Sequence, residues 1–116
     1  LIISRLFEMT SITVIKEENR IQAFTCNGHA GYANASEDIV CAAISMLVIN
    51  TINSIEVLTK TVPIVETDQK SGYIHCSFED DITDDAALLL EAMLLGLSQI
   101  KEQYGTKYID VKIKEV

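Results

Sequence analysis

Two side chains able to cooperate in thiol chemistry, His29 and Cys41, stand twelve positions apart in this chain. His29 lies between Gly28 and Ala30-Gly31 at the end of a predicted strand, and Cys41 opens a dense apolar stretch of helical spacing. The segment between them is rich in small and polar residues, so a base and a thiol flank a pliable loop. Only the thiolate is a competent nucleophile, and a helix N-terminus or a neighbouring imidazolium favours it. With Asp38 as N-cap, Cys41 falls in the first helical turn. His29 is then the candidate general base or ion-pair partner, and the later proton donor to a leaving amine. Backbone N–H groups near Cys41 would supply an oxyanion hole. Asp38 has a second reading, as the group that orients His29, although its charge opposes the thiolate. Ser45 follows one turn beyond Cys41 on the same helical face, where it either lines the site or bonds a backbone carbonyl.

The same residues admit plainer roles. Cysteine is among the most buried residue types, and one in an apolar helix is ordinarily core. Cys26-x-x-His29 with Cys41 offers three zinc ligands, but no fourth follows, so no metal is expected. A redox sensor built on Cys41 needs a resolving thiol, which Cys26 supplies only if the fold brings it near. His75 and Cys76 are adjacent on a predicted strand and point to opposite faces, so they form no dyad, and Cys76 reads as core. No glycine-rich phosphate cradle or aromatic cofactor box is present, and no cofactor is expected.

The elements that must hold this site are legible from periodicity. Ile12–Lys16 and Ile21–Cys26 form a predicted hairpin across a polar turn. A helix follows from about Asp38 to Thr59, ended by Pro63. Val62–Thr67 and Tyr73–Phe78 form a second strand pair. A second helix, N-capped by Asp81 or Thr83, runs to about Tyr104 with Gly105 as C′ residue. Tyr108–Lys114 alternates as a last strand. The order ββαββαβ predicts an α+β two-layer sandwich, with two long helices on one face of a mostly antiparallel sheet. The second helix carries more leucine than one sheet face can cover, which predicts a homodimer.

Composition narrows the partners. The 116 residues carry a net charge of −8, and 48% of them are hydrophobic, enough for one folded domain. Acidity repels phosphate backbones, so no nucleic acid is expected, and it attracts a basic protein. Three cysteines without paired spacing suit a reducing compartment. No signal peptide stands out in Leu1–Phe7. The apolar run Ala86–Leu97 is too short for a bilayer and contains Glu91, so no membrane helix is expected. Residues 1–8 are expected to extend beyond a single core domain spanning residues 9–116.

Gly28-His29-Ala30, followed by Asp38-Ile39-Val40-Cys41-Ala42-Ala43 and Ser45, resembles the two-part signature of the ribosomal-processing cysteine protease family, Prp. The resemblance implies a cytoplasmic homodimeric α+β protease. Its substrate would be the precursor of the twenty-seventh large-subunit ribosomal protein, cut after a hydrophobic, Phe-containing N-terminal extension. By position, Cys41 would be the nucleophile and His29 its partner, with Ala30–Glu37, including Gly31, as the loop that orders around substrate. Ser36 stands where the family often has glycine, which bears on how readily that loop closes. The rival reading is a non-catalytic, ribosome-associated module that only binds a peptide there.

Overall fold

The computed structural model describes residues 10–28, 35–68, 72–106 and 108–116. Residues 1–8 lie outside these, as do His29 and Gly31.

The fold starts on a tight hairpin. Glu18 and Asn19 take φ of 51° and 68°, the left-handed pair whose twist matches that of paired strands. They join β1 (Thr10–Glu17) to β2 (Arg20–Asn27) in antiparallel register. Both strands outrun the predicted hairpin, because Thr10 and Asn27 continue the ladder although neither is apolar. Then come α1 (Ala35–Leu58), β3 (Pro63–Asp68), β4 (Tyr73–Phe78), α2 (Asp84–Tyr104) and β5 (Ile109–Glu115). The strands make one sheet in the order β3-β4-β2-β1-β5. Only β5 runs parallel to its neighbour β1; the other pairings are antiparallel. This is the α+β two-layer fold that the element order predicted, with the core between the sheet and its two helices.

Ile12, Val14 and Phe24 on the sheet meet Ile44, Val48 and Ile55 of α1 and Leu90, Met93 and Leu97 of α2, all buried. Each such side chain contributes about 1.5–3 kcal/mol by leaving water. The helices approach closely: a methyl group added at Gly96 would stand 2.8 Å from Leu47 Cδ2. Leu88 and Leu95, by contrast, are 71% and 61% exposed.

Helix α2 ends where its caps predict. Gly105 takes φ 97° and its N–H donates to the Lys101 carbonyl at 2.8 Å. Thr83 is the N-cap residue, but its hydroxyl donates to Asp85 instead of capping the backbone. Its own N–H donates to the buried Thr61 hydroxyl at 3.0 Å, tying the connection after α1 to the start of α2.

Helix α1 departs from expectation in two ways. It begins at Ala35, so Asp38 is its fourth residue and not its N-cap. Cys41 is consequently in the second turn. The small and polar residues ahead of Asp38 carry no helix breaker, and the helix simply extends back through them. Second, Ile39–Leu58 is long and apolar enough to cross a bilayer by length and composition; the expectation of no such helix rested on Ala86–Leu97 and overlooked α1. In this fold Val40, Ile44, Val48, Ile52 and Ile55 recur at helical spacing and bury one side of α1 against the sheet.

Candidate active site

Helix α1 does not lie flush along the ends of β2, β4 and β3. Between them opens a groove of about 520 Å³. Cys41, Ser45 and Ile49 line it from α1, and Cys26, Val65 and Tyr73 from the sheet side. Asn53, Glu56 and Asp68 add polar groups to a mainly apolar lining. Its size and apolar walls suit the side chains of a hydrophobic peptide segment.

Cys41 is held on this wall by a short chain of contacts that begins at a glycine. Gly28 lies across from the first residue of β1, and a Cβ there would come within 2.6 Å of Thr10 Oγ1 and 2.9 Å of Thr10 Cγ2. Only glycine leaves room for that threonine. The Gly28 N–H donates to the Gly72 carbonyl at 3.1 Å, which fixes it against the start of β4. Thr10 is buried, its N–H donates to the Tyr108 carbonyl at 3.0 Å, and its Oγ1 lies 3.8 Å from Cys41 Sγ. When Cys41 is ionised its sulfur can only accept, so the Thr10 hydroxyl donates and the bond becomes charge-assisted.

Thr10 is the residue that sequence reasoning missed. The signal was available, since Thr10 is in phase with Ile12 and Val14 and therefore faces the core. A hydroxyl on a buried face calls for a partner.

The expected site residues fall as follows. Cys41 and Gly28 share the groove, and Ser45, exposed, stands on its wall. Ser36 and Asp38 contribute helical backbone, while their side chains are outside the described structure. His29 and Gly31 are outside the described residues, although His29 directly follows groove-lining Gly28 in the chain. With Cys41 in the second turn, the field of the helix terminus is weaker than the sequence reading required, because it fades within the first turn. The Thr10 hydroxyl supplies a local donor in its place.

The other two thiols differ in kind. Burial, and secondarily the charge of a Cys41 thiolate close by, push the Cys26 thiol up to about 11. Burial alone pushes Cys76 up to about 12. Cys76 is fully buried and His75 turns the other way, its Nδ1 2.8 Å from Thr25 Oγ1. Among the described residues no group of three His, Cys, Asp or Glu is placed to hold a metal ion.

Comparison with known proteins gives this geometry a context. The profile of the family described as cysteine protease Prp matches residues 9–110. The ribosomal processing cysteine protease Prp of Staphylococcus aureus strain Mu50 is 32% identical over 91 residues, covering 78% of this chain and 86% of that protein. The crystal structure of S. aureus Prp with a covalently linked product peptide superposes with a TM-score of 0.81 at 30% identity, over 91% of this chain and 100% of that one. The same enzyme with a substrate peptide gives a TM-score of 0.83 at 28% identity, again over 91% and 100%.

Proposed function

The chain belongs to the cysteine protease Prp family, and from that premise we propose that it is an endopeptidase that removes the short N-terminal extension of a large-subunit ribosomal protein precursor. Cys41 is the nucleophile and His29 the general base in this reading. The observation that carries it is the Cys41 sulfur on the wall of an apolar groove, 3.8 Å from a hydroxyl placed to donate to it.

The chemistry follows from those groups. The Cys41 thiolate attacks the scissile carbonyl, and the negative charge moves from sulfur to oxygen. His29 protonates the departing amine as the tetrahedral intermediate collapses to a thioester. Water, deprotonated by the same imidazole, then releases the N-terminal fragment and restores the thiol. Thr10 holds the sulfur while it is charged and loosens its hold as the charge leaves. Gly31 belongs to the segment that orders around substrate in this reading, Ser36 and Asp38 support it from the start of α1, and Ser45 lines the groove beside the nucleophile.

A chain of net charge −8 attracts a basic ribosomal protein and repels nucleic acid, and the reaction belongs in the cytoplasm, where thiols stay reduced. The exposed Leu88 and Leu95 of α2, with Met46 of α1, form the surface through which two copies pair. Sedimentation should show a dimer that a Leu95→Glu variant breaks; a wild-type monomer at the same concentration removes the pairing.

The test is incubation with the precursor and mass analysis of the products. A single cut after the hydrophobic extension, absent with Cys41→Ala, is the expected result. A variant that processes as fast as the parent removes the protease reading, and a parent that binds the precursor without cutting it supports the peptide-binding module.

A further inference from the structure

Cys26 has no part in the reaction above, yet it lines the same groove as Cys41. The strand register explains why. Ile12 pairs with Cys26 across β1 and β2, so Thr10, one step along the same face, is the diagonal neighbour of Cys26. Diagonal neighbours in such a ladder stand about 7 Å apart. Thr10 in turn lies 3.8 Å from the Cys41 sulfur. One threonine thus neighbours both thiols, touching Cys41 and standing diagonal to Cys26, and all three line the one groove.

We propose that Cys26 is the resolving thiol of a redox switch on this enzyme: peroxide oxidises Cys41, and Cys26 captures it as an intramolecular Cys26–Cys41 disulfide. The inference rests on the reading of Cys41 as a reactive thiolate. In the first step the Cys41 thiolate displaces hydroxide from hydrogen peroxide. The sulfur loses two electrons to the O–O bond and becomes a sulfenic acid, and the hydroxide takes up a proton as water. In the second, the Cys26 sulfur attacks the sulfenic sulfur, an S–S bond forms, and the Cys26 proton leaves with the sulfenic oxygen as a second water.

The order of events suits the two environments. Cys26 stays protonated at neutral pH, so Cys41 meets the oxidant first. Once Cys41 is a neutral sulfenic acid, the charge that helped hold the Cys26 proton is gone, and Cys26 becomes easier to ionise. Cys76 sits on the same face, paired with Phe24, but it is sealed from the groove and is no competitor. A disulfide needs Cβ atoms about 4 Å apart, so its formation draws α1 towards β2 at this end of the groove. The linkage removes the nucleophile reversibly and keeps it from the sulfinic and sulfonic acids, which thiols do not reverse.

The test exposes the wild type, Cys26→Ser and Cys76→Ala to hydrogen peroxide, then to dithiothreitol, each scored against its own untreated cleavage rate. Peptide mapping is read in parallel. The wild type and Cys76→Ala should lose cleavage, lose the mass of two hydrogens, yield a peptide joining Cys26 to Cys41, and recover with dithiothreitol. Cys26→Ser should lose cleavage without recovery, its Cys41 carrying sulfinic acid. Full recovery of Cys26→Ser, or a wild type whose Cys41 is overoxidised with no link to Cys26, overturns the proposal. If untreated protein cleaves no precursor the protease reading fails by itself, and the mapped linkage still decides the switch.

Discussion

The two helices cover the same sheet and were built for different tasks. Helix α2 has one buried side, a left-handed glycine at its end and acidic residues in its first turn, where the helix dipole favours them. Helix α1 is apolar almost all round from Ile39 to Ile49, begins in a run of residues with no clear stop, and carries the candidate nucleophile on the side that meets the groove. The lesson is that a helix whose features all agree is a structural one here, and the helix whose features conflict holds the site.

Substitutions should separate the two helices cleanly. Cys41→Ala in α1 should lower cleavage by at least about a thousandfold, as removal of a nucleophile does, with the fold retained. Leu90→Ala in α2, from a fully buried position, should cost about 3 kcal/mol of unfolding free energy, with the cleavage rate of the folded fraction unchanged. Were Leu90→Ala to slow cleavage of fully folded protein, the division between the helices would be too sharp.

Thr10→Val keeps the size of the side chain and removes the donor to the sulfur. A hydrogen bond to a charged group contributes about 1.5 kcal/mol, and here it favours the thiolate over the thiol. The thiolate fraction, and with it kcat near neutral pH, should fall by up to about tenfold and recover as the pH rises, with a small change in stability. Thr10→Ser should recover most of the loss. Equal kcat for valine and threonine would leave the hydroxyl a packing feature only.

The smallest effect is the alkaline one, and it belongs to the sheet. Cys26 and Cys76 have thiols raised from 9.0 to about 11 and about 12 in the folded chain. Between those values and 9 the unfolded thiols ionise while the folded ones keep their protons, so the unfolded state binds fewer protons and stability falls as pH rises. The loss should reach about 1 kcal/mol per thiol by pH 10 in urea titrations. It should be absent in a Cys26→Ala, Cys76→Ala double variant. A loss that persists in the double variant would place its origin in other groups.

How much of this was legible follows from local chemistry. The end of α2 could be read because Gly105 sits where only a left-handed residue closes the last carbonyls. The β1–β2 turn could be read as a polar break between two β-rich runs. The start of α1 could not, because Ser36 and Asp38 are both good caps and neither is followed by a change of pattern. The apolar length of α1 is masked in the sequence by interspersed Ser45, Asn50, Asn53 and Glu56, whereas the leucines of α2 form a denser run whose exposed pair Leu88 and Leu95 does stand out in the fold. Strand order was out of reach, since the parallel pairing of β5 with β1 is decided by how two crossovers pack. Thr10 was overlooked because a threonine before a β-rich run looks like a strand's edge. Its phase with Ile12 and Val14 puts it on the buried face, and the partner its hydroxyl meets emerges only once Gly28 and Cys41 are seen on either side of it.

The most direct measurement is the site of covalent capture by a peptide chloromethyl ketone carrying a hydrophobic, Phe-containing sequence, mapped at neutral pH. The reagent should occupy the groove and alkylate Cys41 alone, with Thr10→Val slowing the reaction and precursor peptide protecting against it. Labelling of Cys26 or Cys76 in preference to Cys41, or labelling of Cys41 that precursor does not slow, would contradict a catalytic sulfur in this groove.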